Sequence, residues 1–249
     1  MFNELYPSDP DRVKPFVYED AGTLSLHFDI SAIQSRMRRD DPAALDLDYT
    51  RAMMGCLLFE PQPKSMLMIG LGGGSLPKYC RKHLPQADIT VVEINPHVIA
   101  MRETFCVPPD DARFRVLCDD GAAFVATAPP RHDVILVDGF SYDGQPEALS
   151  TPAFYADCRA ALAAGGVLVV NLHADGDTCE LLIDRIAGAF DGDAVAMSAA
   201  DGGNRVVFAC DERAMRRCAA EFRPRLAALD EVHRRTLRGC AERLARALA

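Results

Sequence analysis

Nowhere in this chain do two cysteines stand at the C-x-x-C spacing of a metal knuckle or a redox motif. The nine cysteines are odd in number and scattered, and no Cys/His cluster has zinc spacing. The expectation is buried, reduced thiols in a cytoplasmic protein, with no metal. Long apolar runs are missing too: none approaches the ~18 residues of a membrane span, so no membrane partner is expected. The opening MFNELYPSDPDR lacks the basic-then-apolar pattern of a secretion signal. Positive charge is in deficit, with 27 Lys and Arg against 36 Asp and Glu and a net charge of -9. That balance argues against a nucleic-acid partner. Arginines do gather at Arg36, Arg38 and Arg39 and in the C-terminal segment, but Asp40 and Asp41 beside the first group point to a solvated face.

What the chain does have is a stretch from Ser65 to Glu93, SMLMIGLGGGSLPKYCRKHLPQADITVVE. An apolar run, Met66 to Ile69, meets Gly70, Gly72, Gly73 and Gly74. A helix-like segment follows, then a second apolar run, Ile89 to Val92, which ends at Glu93. Glycines let a backbone turn tightly and approach a ligand closely, and the N–H groups of the following helix start favour electron-rich groups. An acid about 20 residues beyond the glycines can accept both hydroxyls of a ribose. The stretch therefore predicts a nucleoside-containing ligand. With 249 residues, 49% of them hydrophobic, one α/β domain with a modest extra element is expected.

Taken in order, residues 1 to about 12 are polar and expected to be loosely held. Phe16 to Tyr18 and Thr23 to Phe28 read as a β-hairpin around Glu19-Asp20-Ala21-Gly22, and Ile30 to Arg36 as a further short strand. Leu45 to Phe59 has helical spacing and is stopped by Pro61-Gln62-Pro63. After Glu93 come a helix from Pro96 to about Cys106, a strand Phe114 to Leu117 and a short helix Ala122 to Thr127. Next are a strand Val134 to Val137, a helix Pro152 to Ala163 closed by Gly165-Gly166, a strand Val167 to Asn171 and a helix Asp177 to Phe190. Such alternation means a parallel sheet covered on both faces. The runs Ala194 to Met197 and Val206 to Cys210 are joined only by a short polar link, so they pair antiparallel. That ending belongs to the class I S-adenosylmethionine methyltransferase-like Rossmann fold rather than to the nicotinamide-binding one. Glu212 to Ala249 reads as one or two amphipathic helices, broken at Pro224. The expected organisation is residues 1–60 as a small N-terminal β region with a linking helix, 61–211 as the nucleoside-binding core, and 212–249 as a helical extension.

Ligands of open parallel sheets bind at the carboxyl ends of the strands. Four such ends carry glycine or acid: Gly70 to Gly74, Glu93, Asp119-Asp120-Gly121 and Asp138. Glu93 is the ribose candidate. Asp120 is either the acceptor for an adenine amino group or the cap of the next helix. Asp138 lies nearest the reacting centre. Three acids around one ligand suit a cationic nucleoside such as a sulfonium.

From about Phe28 to Phe208 the sequence resembles the spermidine synthases, or aminopropyltransferases. The family's V-E-I-D-P element is met by Val92-Glu93-Ile94-Asn95-Pro96, and its G-D-G-F element is similar to Asp119-Asp120-Gly121-Ala122. Its D-V-I-I-V-D element is similar to Asp133-Val134-Ile135-Leu136-Val137-Asp138. Its E-x-L-x-T-x-x-F-Y pattern is met by Glu147, Leu149, Thr151, Phe154 and Tyr155. Gln34 falls where the family has a nucleoside-binding Gln. The resemblance implies transfer of an aminopropyl group from decarboxylated S-adenosylmethionine to an amine, with methylthioadenosine as product and Asp138 as general base. It also implies a homodimer.

The chain departs from the family at several points. The loop G-G-G-D-G-G is here Gly70-Leu71-Gly72-Gly73-Gly74-Ser75, with Gly73 where the family's Asp binds an amine. The second Asp of D-S-S-D is Ser141, with Asp143 two residues on as a substitute. The Tyr-His-Glu-Met segment is Tyr49-Thr50-Arg51-Ala52, which adds an arginine. Tyr49, Ser141 and Asp143 are thus the acceptor-side candidates. A diamine needs a carboxylate at each end, because burying an unpaired ammonium is costly, so putrescine is not the expected acceptor. One alternative is a methyltransferase using intact S-adenosylmethionine and releasing S-adenosylhomocysteine, whose carboxylate suits a loop lacking acid at position 73. Another is a nucleoside-binding module without turnover. Nicotinamide redox chemistry is disfavoured by the antiparallel ending and by Ser75 where a third Gly usually falls.

Overall fold

Alternation in the N-terminal segment becomes three antiparallel strands, β1 (Phe16–Asp20), β2 (Thr23–His27) and β3 (Ser35–Arg38). The computed structural model describes residues 12–30, 33–129, 131–142, 144–174 and 176–249. The reading of residues 1 to 11 as loosely held lies outside these. The third strand begins at Ser35 and runs to Arg38, later than Ile30 to Arg36, and Ser31 and Ala32 lie outside the described residues. Arg36, Arg38 and Arg39 pair with Asp46, Asp40 and Glu19, which makes this the solvated face read from the sequence.

The single helix expected over Leu45 to Phe59 is α1 (Asp48–Met53) followed by a tighter 3-10 segment, Met54–Leu58. Every residue of that segment is buried. A Cβ on Gly55 would sit 2.9 Å from the Phe208 ring, so the chain runs hard against the sheet there.

The core alternates strand and helix: β4 (Ser65–Ile69), α2 (Ser75–His83), β5 (Asp88–Glu93), α3 (Pro96–Ile99), β6 (Phe114–Cys118), α4 (Gly121–Thr127), β7 (His132–Val137), α5 (Pro152–Ala161), β8 (Leu162–His173), α6 (Gly176–Ala189), β9 (Ala194–Ser198) and β10 (Asn204–Cys210). These strands form one seven-stranded sheet in the order β6-β5-β4-β7-β8-β10-β9. β4 to β8 pair in parallel, while β10 is antiparallel to both β8 and β9. The crossover α6 carries the chain two places beyond β8, and the short link after β9 returns it into the gap. This is the expected methyltransferase-like sheet.

Three boundaries differ from the sequence reading. The helix after Glu93 stops at Ile99; turns carry the chain on to Cys106, which takes φ +55°. Gly165 and Gly166 do not end α5 but sit within β8, where the pairing with β7 is irregular between His132 and Val134. A Cβ on Gly166 would lie 2.9 Å from the His132 carbonyl oxygen. The C-terminal segment is four short helices, α7 (Glu212–Ala220), α8 (Phe222–Ala228), α9 (Glu231–Leu237) and α10 (Ala241–Ala247). Pro224 lies in the first turn of α8, where its missing N–H leaves no helix bond unmade.

Alternate residues of each strand feed opposite faces of the sheet. Met66, Met68, Val91 and Phe208 enter a core shared with α1, α2 and the C-terminal Leu237 and Leu244. Leu67, Ile69, Ile135 and Val137 enter a second core with Phe154, Tyr155 and Ile186. With both faces filled, the carboxyl edge of the strands is left to present polar chemistry. Among the described residues no helix is long and apolar enough to cross a membrane. None of the nine cysteines is in a disulfide; seven are buried, and Cys106 and Cys118 are exposed.

Candidate functional site

A cleft opens where β4, β5, β6 and β7 end. Its wall includes Gln34, Tyr49, Gly70, Gly72, Glu93, Asp120, Gly121, Asp138 and Ser141. Residues far apart in the chain, such as Gln34 and Asp138, therefore meet at one edge.

Gly70 follows β4 with φ +96°, and a Cβ there would lie 2.2 Å from the carbonyl oxygen of Asp138. The ends of β4 and β7 come this close because position 70 has no side chain. Gly72, with φ +51°, has nothing nearer its missing Cβ than Ser35 at 3.6 Å, so the loop presents bare backbone to the cleft. Gly73 and Gly74 are closely packed. At Gly73 a Cβ would meet the Phe105 ring and Ser35 Oγ at 2.8 Å, and at Gly74 it would meet Val107 Cγ2 at 2.4 Å. Neither forms part of the cleft wall. Gly121 is equally tight: its Cβ would lie 2.4 Å from Ile69 Cγ2.

Glu93 is buried at the tip of β5. Its Oε2 accepts the Leu71 N–H at 2.8 Å and its Oε1 accepts the Asn95 N–H at 2.9 Å. Burial raises its pKa, and the backbone donors partly offset the rise. Each carboxylate oxygen retains acceptor capacity for a hydroxyl. Asp120 caps α4, its Oδ1 accepting from Ala122 N at 2.8 Å and Ala123 N at 3.3 Å. The cap is formed, and the residue also lines the cleft.

Asp138 follows β7. Its Oδ1 accepts from Asn171 Nδ2 at 2.8 Å and its Oδ2 from Tyr49 Oη at 3.3 Å. Burial pushes its pKa up to about 6, against the pull of those two donors. Tyr49, buried beside this carboxylate, is pushed well above the usual phenol range and stays a donor. Asn171 Oδ1 in turn accepts from Asn204 Nδ2 at 3.0 Å. The sequence reading missed both asparagines. Their one visible signal is Asn171 itself, a lone amide inside the apolar strand Val167 to Leu172.

Ser141 is buried, and both its N–H, at 2.8 Å, and its Oγ, at 3.3 Å, donate to the Gly144 carbonyl. Its hydroxyl closes a small turn at the cleft wall. Asp143 lies outside the described residues. Arg51 does not enter the cleft: it donates to the carbonyls of Leu45 and Asp46 and pairs with Asp48 at 3.2 Å. The charged residues of the cleft wall are Glu93, Asp120 and Asp138, and no Lys, Arg or His joins them among the described residues. No group of three or more His, Cys, Asp or Glu among these residues is arranged to hold a metal ion.

With this geometry in hand, likeness to known proteins is informative. The model of the spermine/spermidine synthase domain matches residues 47–175. A polyamine aminopropyltransferase of Chromobacterium violaceum is 40% identical over 194 residues, covering 78% of this chain and 74% of the relative. The crystal structure of a probable spermidine synthase from Corynebacterium glutamicum superposes with a TM-score of 0.69 at 19% identity, covering 86% of this chain and 84% of the other. A spermidine synthase solved with the transition-state analogue AdoDATO superposes with a TM-score of 0.65 at 21% identity, covering 94% and 87%. At these identities the two structures establish the fold, and the sequence match establishes kinship. The chain belongs to the spermine/spermidine synthase family.

Proposed function

We propose that this protein transfers an aminopropyl group from decarboxylated S-adenosylmethionine to an amine acceptor. The observation that carries this reading is the charge of the cleft, whose wall bears three carboxylates and no basic side chain among the described residues. A sulfonium nucleoside and an ammonium acceptor are both cations, and bringing either into a protein without a counter-charge is costly. Kinship with a polyamine aminopropyltransferase, of which the chain spans 74%, supports the same reading.

The residues fit such a donor. Gly70 and Gly72 offer bare backbone, Glu93 accepts from a ribose, and Asp120 reaches an adenine amino group with the oxygen its cap leaves free. When bound, the donor supplies an electrophilic carbon next to sulfur and a thioether leaving group. The chain supplies a base. Asp138 accepts a proton from the acceptor ammonium, and its raised pKa, about 6, narrows the gap to an amine near 10. Desolvation of the ammonium narrows it further. Tyr49 and Asn171 hold the carboxylate in place, which is positioning as much as proton transfer. Gln34 stands at the nucleoside side of the wall, and Ser141 at the acceptor side. The reading includes a homodimer in the cytoplasm, the first part of which light scattering in solution tests.

One observation favours a second reading. With Phe105 packed behind Gly73, the glycine loop carries no carboxylate for the donor's aminopropyl nitrogen. Intact S-adenosylmethionine, whose own carboxylate suits bare N–H groups, is then the donor, and methyl transfer the reaction. Calorimetric titration with S-adenosylmethionine, its decarboxylated form and methylthioadenosine separates the two. Preference for the decarboxylated form, followed by turnover with one of a panel of di- and polyamines, is the expected result. Preference for the intact form overturns it in favour of methyl transfer, and no binding leaves a nucleoside fold without turnover.

A further inference from the structure

Asp138 is reached by a line of side chains that crosses the sheet to its antiparallel strand. Asn171 is 1% exposed, and its amide has two faces. The N–H2 faces Asp138 Oδ1 at 2.8 Å, while the carbonyl oxygen accepts from Asn204 Nδ2 at 3.0 Å. Turned over, the amide would set its carbonyl against the carboxylate and its N–H2 against the N–H2 of Asn204. The bond from Asn204 Nδ2 opposes that alternative.

Asn204 is itself held by backbone. It is the first residue of β10 and lies opposite His173 of β8. Its carbonyl accepts the Ala199 N–H at 2.8 Å, and the Gly203 carbonyl accepts the Ala174 N–H at 3.0 Å. The Ala200 N–H donates to Asp48 Oδ2 at 2.5 Å, one residue before Tyr49 on α1. The β9–β10 hairpin is thus bonded to Asn171, one donor of Asp138, and to Asp48, the neighbour of the other.

We propose that Asn204 is a positioning residue for the reaction: by fixing the amide of Asn171, it keeps the Asp138 carboxylate ionised and aimed at the acceptor nitrogen. The proposal rests on the role given to Asp138 under the proposed function. Titratable groups packed around this point come from several elements. Tyr49 comes from α1, with Asp48 beside it engaged by Arg51 and Arg243. Asp201 lies in the β9–β10 turn and acts on Tyr49. Glu93 and Asp120 share the cleft wall, and His173 stacks on Phe140 at 4.3 Å. Of these described groups, Tyr49 is the one hydrogen-bonded to Asp138.

The test is a carbon-13 NMR titration of the Asp138 carboxyl in the wild type, N171A, N204A and the double variant, each checked for folding by its melting curve. N171A is expected to raise the midpoint by about one unit and N204A by about half a unit or more. The double variant should match N171A alone, because the two residues act in series. An unchanged midpoint in N204A, or effects that add, overturns the proposal. Should N204A not fold, N204D carries the test. A carboxylate there only accepts, so Asn171 must turn its N–H2 toward it and its carbonyl toward Asp138. The rise in midpoint is then larger with Asn171 present than in an N171A background, and equal rises overturn the proposal. A pH profile of kcat/KM for aminopropyl transfer should show the same displacement of its acid limb. If the NMR shifts follow this pattern while the wild type transfers no aminopropyl group, the proposed function fails and only the coupling of Asn204 to the Asp138 carboxyl stands.

Discussion

The carboxylate of Glu93 accepts the backbone N–H of Leu71 at 2.8 Å, so the acid that ends β5 is tied to the loop that follows β4. A residue read from the sequence as a ribose ligand is also what fixes the shape of the glycine loop. Its other oxygen holds the Asn95 N–H at 2.9 Å.

Replacing Glu93 should therefore cost both folding and binding. E93A leaves two amide donors without their partner and is expected to lower stability by about 2–4 kcal/mol. E93Q keeps one acceptor and should cost less, while weakening methylthioadenosine binding by roughly tenfold or more. Urea denaturation and calorimetry check the two effects separately. A stable E93A that still binds the nucleoside would remove Glu93 from the site.

Asp138 gives a pH dependence with a definite sign. Its folded pKa, about 6, lies above the ordinary 3.8. The folded state holds the proton more tightly, so the group's contribution to stability is full below pH ~4 and is lost as pH rises through about 6. D138N cannot ionise. It should be more stable than the wild type above pH ~6, by on the order of 1–3 kcal/mol, with the gap closing toward pH ~4. Turnover should be abolished and nucleoside binding kept. Denaturation series across this interval check it; a pH-independent gap would remove burial of the charge as the cause.

Y49F deletes the weaker of the two donors on Asp138. The carboxyl should titrate higher, moving the acid limb of the rate profile up by a few tenths to one unit. Activity at pH ~8.5 should be nearly intact. Equal loss at every pH would mean that Tyr49 acts on the substrate and not on the base.

Gly73 is where restoring the acid of the relatives is the obvious experiment, and the structure opposes it. Phe105 is 0% exposed, and its ring would lie 2.8 Å from a new Cβ. G73A should cost about 1–3 kcal/mol through overpacking, and G73D at least as much, without tighter binding of the decarboxylated donor. A double-mutant cycle of G73A with F105A should show the two costs to be less than additive. Full additivity would mean that the ring is not the obstacle.

Much of this was legible in the chain. Glycines between Ile69 and Ser75, and acids at the ends of apolar runs, betrayed strand tips because a parallel strand buried on both faces is an apolar run that ends where its polar chemistry begins. The antiparallel ending was legible because the link between Ala194–Met197 and Val206–Cys210 is too short for a crossover. Local boundaries were less so. Gly165-Gly166 look like a helix stop, but the pairing of β8 with the His132 end of β7 uses them inside a strand. Arg51 looked like a new cleft cation, and only the fold shows its guanidinium spent on Leu45, Asp46 and Asp48.

The sequence by itself determined the sheet, its methyltransferase-like ending and the acids at its edge, because these follow from apolar period, turn chemistry and loop length. Tertiary structure alone decided what each position does there. It set Gly73 and Gly74 against neighbours that leave no room for a side chain, since what a missing Cβ would touch depends on Phe105 and Val107, some thirty residues away. It also joined Asn204 to Asn171 and Asn171 to Asp138, 33 residues apart at each step, because strand order and not chain order sets which amide meets which carboxylate.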